Sequence, residues 1–155
     1  MSERPDKAEP EKAFCFDYLD RNAGAIATLS DSIFYFAELG MQEVETARLM
    51  SSLLEEGGFK VARGISGFAS GFCATCGSGT PVIALHTEYD ANPDNSQASG
   101  VAEHKPIVDG APGHCEGHNA NGAVDNTFVQ FYPTLKEIAQ SKGTFRENSP
   151  KAETQ

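Results

Sequence analysis

Large apolar side chains are scarce in this chain, and the scarcity limits the core that it can build. Only 31 of its 155 residues are Leu, Ile, Val or Phe. This share, about 20%, is close to the level below which strongly charged chains remain unfolded. Alanine supplies much of the remaining apolar surface. Because the length is typical of one domain, we expect a single domain of marginal stability.

Charge and targeting signals exclude several classes of function. The net charge is −10, without a basic cluster, which argues against nucleic-acid binding because that binding depends on neutralising phosphates. No apolar stretch approaches the ~20 residues of a membrane helix, and the first residues lack the pattern of a signal peptide. Four cysteines in such a chain indicate reduced thiols or metal ligands. We therefore expect a cytoplasmic protein.

The first half of the chain changes from a helical to a strand-like pattern. After a polar leader (1–12), apolar residues recur at helical spacing, although Gly24 leaves open whether the first segment is one bent helix or two. A continuously apolar run, Val82 to Leu85, predicts a strand buried on both faces. The predicted elements are helices over 13–37 and 42–56, strands over 59–62, 69–76 and 81–87, and a hairpin turn at 77–79.

The second half is dominated by a long irregular segment. Residues 89–119 are rich in Pro, Gly and Asn, and loops of that length are usually functional or disordered. A helix is predicted over 121–140, where Pro133 should kink or split it. The domain is expected to span 13–146, with a polar tail at 147–155.

Acidic and imidazole side chains are concentrated in one region. Between Gly64 and Leu135 the only Lys or Arg is Lys105, whereas seven carboxylates and all four histidines lie there. Crowded carboxylates repel one another unless they are solvated, protonated or bound to a cation. A solvated acidic loop and a metal site are therefore both consistent with the composition.

The densest cluster is Gly113-His114-Cys115-Glu116-Gly117-His118-Asn119. Imidazole, thiolate and carboxylate groups are ligands of zinc and related divalent metals. The flanking glycines allow the tight backbone that would let such side chains converge. The cluster predicts a metal site.

Three segments together resemble the aminoacylase/carboxypeptidase-type zinc metallopeptidases, in the amidohydrolase branch that hydrolyses indole-acetyl-amino-acids and aminobenzoyl-glutamate. They are collinear with the N-terminal part of that family and fall within about residues 13–146. The segments are Ala37-Glu-Leu-Gly-Met-Gln-Glu43, the run from Pro81 to Gln97, and the run from Lys105 to Asn119.

The resemblance implies a set of site residues. In the family's metal loop a cysteine and the second histidine bind metal; here His118 matches that histidine, His114 the first histidine, and Asn119 the residue after His118. Glu116 stands at the cysteine position and Cys115 one place earlier, so either could be the ligand. A carboxylate in place of the thiolate would make the site harder and more tolerant of manganese. Glu88 and Asp90 match the family's acidic pair near the metal.

The end of the chain departs from the family. Glu153 matches the glutamate that acts as general base, but Thr154 stands where the family has a ligand glutamate. The family's lid domain and its late histidine ligand have no counterpart in these 155 residues. This departure predicts weak activity together with marginal stability, the latter seen as a broad unfolding transition or as association into homo-oligomers.

The resemblance implies an α/β fold, the N-terminal portion of a zinc-exopeptidase-like catalytic domain with helices packed on a mixed sheet. The implied function is metal-dependent (Zn or Mn) hydrolysis of an amide-type C–N bond in a small amino-acid conjugate. The alternative is a catalytically inactive relative that keeps part of the fold and weak metal affinity. A redox role for Cys73 and Cys76 is the weakest alternative, because residues three apart on a strand face opposite sides.

Overall fold

The computed structural model describes residues 10–79 and 82–130. The elements are α1 (Pro10–Phe36), α2 (Val44–Glu56), β1 (Lys60–Arg63), a short 3₁₀ helix (Ile65–Gly67), β2 (Phe72–Thr75) and α3 (His118–Gln130). Helices combined with a small sheet are compatible with the predicted α/β class. Helix α1 begins at Pro10, so the last three residues of the predicted leader (1–12) are helical. The rest of the leader and the predictions beyond Gln130 lie outside the described residues.

Helix α1 is a single continuous helix that passes through Gly24. Polar side chains along it bond to the carbonyl one turn back: Asn22 to Tyr18, and Thr28 to Gly24. Only the second half contributes to the core, where Leu29 and Ile33 are buried. The first predicted helical segment is therefore one helix and not two.

Helix α2 confirms the predicted second helix, beginning two residues later than predicted. Its first N–H groups need acceptors outside the helix, and Glu43 at the N-cap provides no side-chain bond. The carboxylate of Glu38 takes this role, accepting from the N–H groups of Glu45 and Thr46 at 2.9 Å each. The helix ends at Glu56, before Gly57 and Gly58.

The two strands pair with each other in antiparallel fashion, with Lys60 opposite Thr75 and Arg63 opposite Phe72. Arg63 ties β1 to α2 by donating to the Glu55 carboxylate and to the Ser51 hydroxyl. The hydrogen bond from Arg63 lowers the pKa of Glu55. The strands predicted over 59–62 and 69–76 are confirmed, and they pair with each other.

The core lies where the three helices meet. It consists of Leu29 and Ile33 from α1, Met50 from α2 and Ala123 from α3. The small Ala123 side chain, fully buried, allows α3 to approach α1 closely. The buried amide of Asn126 donates to the Met50 carbonyl at 3.0 Å, so this polar group is satisfied within the core.

The prediction of a doubly buried strand at Val82 to Leu85 is wrong for the described structure. These residues belong to no strand, and Val82 and Ile83 are 84% and 77% exposed. A run of apolar residues favours a buried strand only where neighbouring strands and layers cover it. The sheet of the described residues has two strands, and neither pairs with this segment. The predicted hairpin turn at 77–79 therefore joins no strand pair.

The long segment from Tyr89 to Gly117 is irregular, as predicted, but it is anchored at several points. The N–H of Ala91 donates to the Glu38 carbonyl at 2.7 Å, and Asn92 and Gly113 exchange two backbone bonds of 3.0 Å. Gly113 passes so close to Asn95 that a Cβ at this position would overlap the Asn95 carbonyl. Only glycine permits this approach.

No helix among the described residues is both long and apolar enough to cross a membrane.

Candidate functional site

Two anchored segments meet at the first turn of α3. Asp90 directly precedes Ala91 and Glu88 lies two residues before Asp90; a bridge to Leu39 fixes Ala91 against the connection between α1 and α2. His118 is the first residue of α3 and follows Gly117, whose φ of 88° lies in the left-handed region that favours glycine. Residues 28 positions apart in the sequence are thereby brought into contact.

The imidazole of His118 contacts three carboxylates. Its Nδ1 lies 2.9 Å from Oδ1 of Asp90, within hydrogen-bond geometry. Its Nε2 lies 3.3 Å from Oε2 of Glu88 and 3.3 Å from Oε2 of Glu116. The His118 side chain is only 16% exposed, whereas those of Glu88 and Glu116 are 60% and 52% exposed. The ring is therefore fixed and two of its carboxylate partners are free to turn.

Negative charge exceeds positive charge at this cluster. Even a protonated His118 would leave three carboxylates facing one positive charge. If the ring is neutral and Nδ1–H donates to Asp90, the Nε2 lone pair faces two acceptors that cannot donate to it. In both cases the cluster has more hydrogen-bond acceptors than donors around the His118 ring.

The cluster is not, as it stands, a formed metal site. Within residues 10–79 and 82–130, no group of three or more His, Cys, Asp or Glu side chains is arranged so that it could hold a metal ion. The carboxylates of Glu88 and Glu116 each contact the imidazole, but the set does not enclose a common position for an ion.

The imidazole of His114 contacts helix α1. Its Nε2 donates to the Ile33 carbonyl at 3.1 Å, and its ring lies beside Phe34 with centroids 6.3 Å apart. Burial lowers the pKa of His114, which favours the neutral ring. Nδ1 is buried and has no partner among the described residues. Its contacts tie the loop to α1, and its proposed role as a ligand stays a prediction.

The remaining predicted site residues differ in whether they contact His118. The exposed Cys115 thiol accepts from the Asn92 side chain at 3.5 Å. Asn119 donates to the Ser30 hydroxyl at 3.0 Å, so it connects α3 to α1. Glu116, and not Cys115, is in contact with the His118 ring. Glu153 lies outside the described residues.

Sequence reasoning missed the residues that support this cluster. Glu38 caps α2 through its side chain and holds Ala91 through its carbonyl. Glu43 accepts a 2.6 Å bond from Ser70, and the Ser70 carbonyl accepts from the Tyr89 hydroxyl. Burial, together with the charges of Glu43 and Glu38, raises the pKa of Tyr89 to about 12. The motif from Ala37 to Glu43 could have indicated these supporting residues, because it contains both Glu38 and Glu43.

Two cavities lie near these elements. A groove of about 430 Å³ between α1 and α3 is lined mainly by apolar and small side chains, including Leu19, Ile26 and Val124. It contains none of the predicted site residues. A smaller cavity of about 220 Å³ is lined by Asp94, Asn95, Ser96, Gln97, His104, His114 and Cys115. The second cavity adjoins the loop that carries Glu116 and His118.

Comparison with known proteins supports the resemblance derived from the sequence. No family model matches the chain, and no solved structure matches it. The chain is similar to a hydrolase of the amidohydrolase branch. That relative is one of the subunits of p-aminobenzoyl-glutamate hydrolase from Escherichia coli (strain K12), 35% identical over 109 residues. The match covers 70% of this chain and 23% of the relative's length, so the predicted resemblance is confirmed as a partial one.

Proposed function

We propose that this chain takes part in metal-dependent hydrolysis of the amide C–N bond in small amino-acid conjugates of the p-aminobenzoyl-glutamate type. The observation that carries the proposal is the contact of His118 with Glu88, Asp90 and Glu116. Two segments that resemble the amidohydrolases meet in this contact. The similarity to a p-aminobenzoyl-glutamate hydrolase supports the substrate class.

The donor set suits a borderline divalent metal such as Zn or Mn. Metal–ligand bonds of about 2.0–2.2 Å at a tetrahedral angle separate neighbouring ligand atoms by about 3.4 Å. The separations of Nε2 from the two glutamate oxygens, 3.3 Å each, are close to this value. We propose that His118, Glu116 and Glu88 would hold the metal, with the exposed side chains of the two glutamates adjusting around a common position.

Each residue of the cluster then has a separate task. Asp90 accepts from Nδ1–H of His118, which orients the ring and leaves the Nε2 lone pair free for a metal; such outer carboxylates are a general feature of histidine–metal sites. A bound metal would lower the pKa of a water molecule and polarise the scissile carbonyl. By the resemblance, Glu153 would accept the proton from that water.

A second candidate function is binding without turnover. It is favoured by the lack of a formed metal-binding group among the described residues and by Thr154 at the position of a family ligand. A protein of this kind would keep the loop and a weak metal affinity. It would not position water for attack.

Metal titration and turnover, measured on the same protein, separate the two functions. Zinc or manganese retained after dialysis is measured by elemental analysis, and p-aminobenzoate release from p-aminobenzoyl-glutamate is followed with and without a chelator. Metal binding with chelator-sensitive turnover supports hydrolysis, and metal binding without turnover supports the second function. A protein that binds no metal contradicts both.

Variants test the assignment of the ligands. We expect His118→Ala to abolish metal retention and Asp90→Asn to lower metal affinity by about 10–100-fold. His104→Ala, an exposed histidine of the same loop, is the matched control and should retain the metal. Glu116→Gln and Cys115→Ser test which neighbour is the ligand. Loss of metal only in Cys115→Ser would show that the cysteine binds it.

A further inference from the structure

Glu38 joins helix α2 to the segment that carries Asp90. Its carboxylate accepts from the backbone N–H groups of Glu45 and Thr46, at 2.9 Å each. Its backbone carbonyl accepts from the N–H of Ala91 at 2.7 Å. A single residue thus holds both the first turn of a helix and the neighbour of Asp90.

The helix end of this connection depends on the Glu38 carboxylate. Thr46 is only 1% exposed, so water has little access to its N–H, and the first N–H groups of a helix need acceptors from outside it. Glu43 at the N-cap makes no side-chain bond to them. The Glu38 side chain is therefore fixed when α2 folds, and its removal would leave a buried donor unpaired.

The backbone around Glu38 is held in a strained conformation. Ala37 and Met41 have φ of 45° and 69°, in the left-handed region that residues with a Cβ seldom adopt. Such strain persists only where surrounding contacts determine the conformation, and it is concentrated at functional sites. Here Leu39, between the two strained residues, forms a parallel bridge with Ala91. The strain indicates that this turn is shaped to receive the chain at Ala91.

The other end of the connection reaches the His118 ring. Asp90 precedes Ala91, and its Oδ1 lies 2.9 Å from Nδ1 of His118. Gly40 borders the same carboxylate, because a Cβ on Gly40 would lie 3.6 Å from Oδ2 of Asp90. One carboxylate oxygen faces the ring and the other faces the connection between α1 and α2. A shift of that connection would therefore turn the carboxylate away from the ring.

We propose that Glu38 is a positioning residue for His118. By holding the chain next to Asp90, it places the Asp90 carboxylate where it accepts from Nδ1–H of the ring and leaves Nε2 facing Glu88 and Glu116. The inference rests on the proposed function for the purpose of this arrangement, since a histidine ligand is oriented through its other nitrogen. Its test is made on metal-free protein and does not depend on that function.

NMR of the histidine rings in the full, ¹⁵N-labelled chain measures the contact through the exchange of the Nδ1–H proton with water. The signal is assigned by its loss in His118→Ala. We expect Glu38→Ala to speed this exchange at least about tenfold, because two bonds to a charged acceptor are lost. Glu38→Gln keeps one acceptor and should give an intermediate rate. The matched control Glu45→Ala removes an exposed carboxylate from the same turn, leaves the N–H of residue 45 bonded to Glu38, and should leave the rate unchanged.

The ring of His114 is an internal reference. Its Nε2 donates to the Ile33 carbonyl on α1, so a general loosening of the fold would affect both rings, whereas lost positioning affects His118 alone.

Faster exchange at His118 alone, in Glu38→Ala and not in Glu45→Ala, supports the proposal. It is overturned by unchanged exchange in Glu38→Ala, by equal effects of the two variants, by equal effects on His118 and His114, or by a wild type without a protected His118 proton. If Glu38→Ala loses protection of its core amides, Glu38→Gln decides by the same comparison. A protein that shows the effect but binds no metal contradicts the proposed function alone.

Discussion

The helical core and the segment that carries the site are held together in different ways. In the core, Ile33, Met50 and Ala123 are almost completely buried, and side-chain packing fixes their positions. In the segment from Glu88 to His118, most side chains remain accessible, and backbone bonds such as those between Asn92 and Gly113 fix the chain. The helices therefore determine whether the protein folds, and a few backbone contacts determine where Glu88, Asp90 and His118 meet.

Removing core volume should have the largest effect on stability. Ile33→Ala deletes a fully buried side chain at the junction of the helices and should lower the free energy of unfolding by about 2–5 kcal/mol. Urea denaturation measures this change. The control Val44→Ala alters a side chain that is 67% exposed and should change stability by less than about 0.5 kcal/mol. Equal effects of the two variants would contradict the described core.

A glycine substitution in the loop should have a smaller effect on stability and a larger one on the site. In Gly113→Ala the new Cβ overlaps the Asn95 carbonyl, so the backbone must shift, at a cost of about 1–3 kcal/mol. We expect faster exchange of the Asn92 and Ser96 amides, with the core amides still protected. In the control Gly24→Ala, the Cβ meets nothing within 4 Å and should stabilise α1 by up to about 1 kcal/mol. Unchanged exchange in Gly113→Ala would refute the close approach.

The smallest effect on stability is expected at the hydrogen bond between Tyr89 and Ser70. Tyr89→Phe removes the hydroxyl that donates to the Ser70 carbonyl, at a cost of about 1 kcal/mol near neutral pH.

The pH dependence of Tyr89→Phe provides a second test of the same contact. The pKa of Tyr89 is raised from 10.0 to about 12, so its contribution to stability is complete below pH 10 and is lost as the pH rises towards 12. Wild-type stability should therefore fall more steeply than that of Tyr89→Phe over this interval. Parallel pH profiles would contradict the burial of this hydroxyl.

The sequence predicted the helices well because their signals are local. The apolar spacing between Val44 and Leu54 and the two glycines after Glu56 specify α2 without reference to the rest of the chain. The meeting of His118 with Glu88, Asp90 and Glu116 followed only from the resemblance, since the sequence pattern between Tyr89 and Gly117 shows no periodicity. Val82 to Leu85 was mispredicted because its burial depends on neighbours that no local pattern encodes.

The reciprocal bonds between Asn92 and Gly113 also bear on how this part of the chain can vary in length. The Ser96 N–H donates to the Ala111 carbonyl and the Ala98 N–H to the Lys105 carbonyl, so residues 99–104 form the tip of a loop whose base lies next to the site. The entropy of closing a loop grows only slowly with its length, and insertions are tolerated best at exposed tips. Residues added or removed at 99–104 should leave Asp90 and His118 in contact, so evolution can vary the length of this tip without changing the cluster at its base.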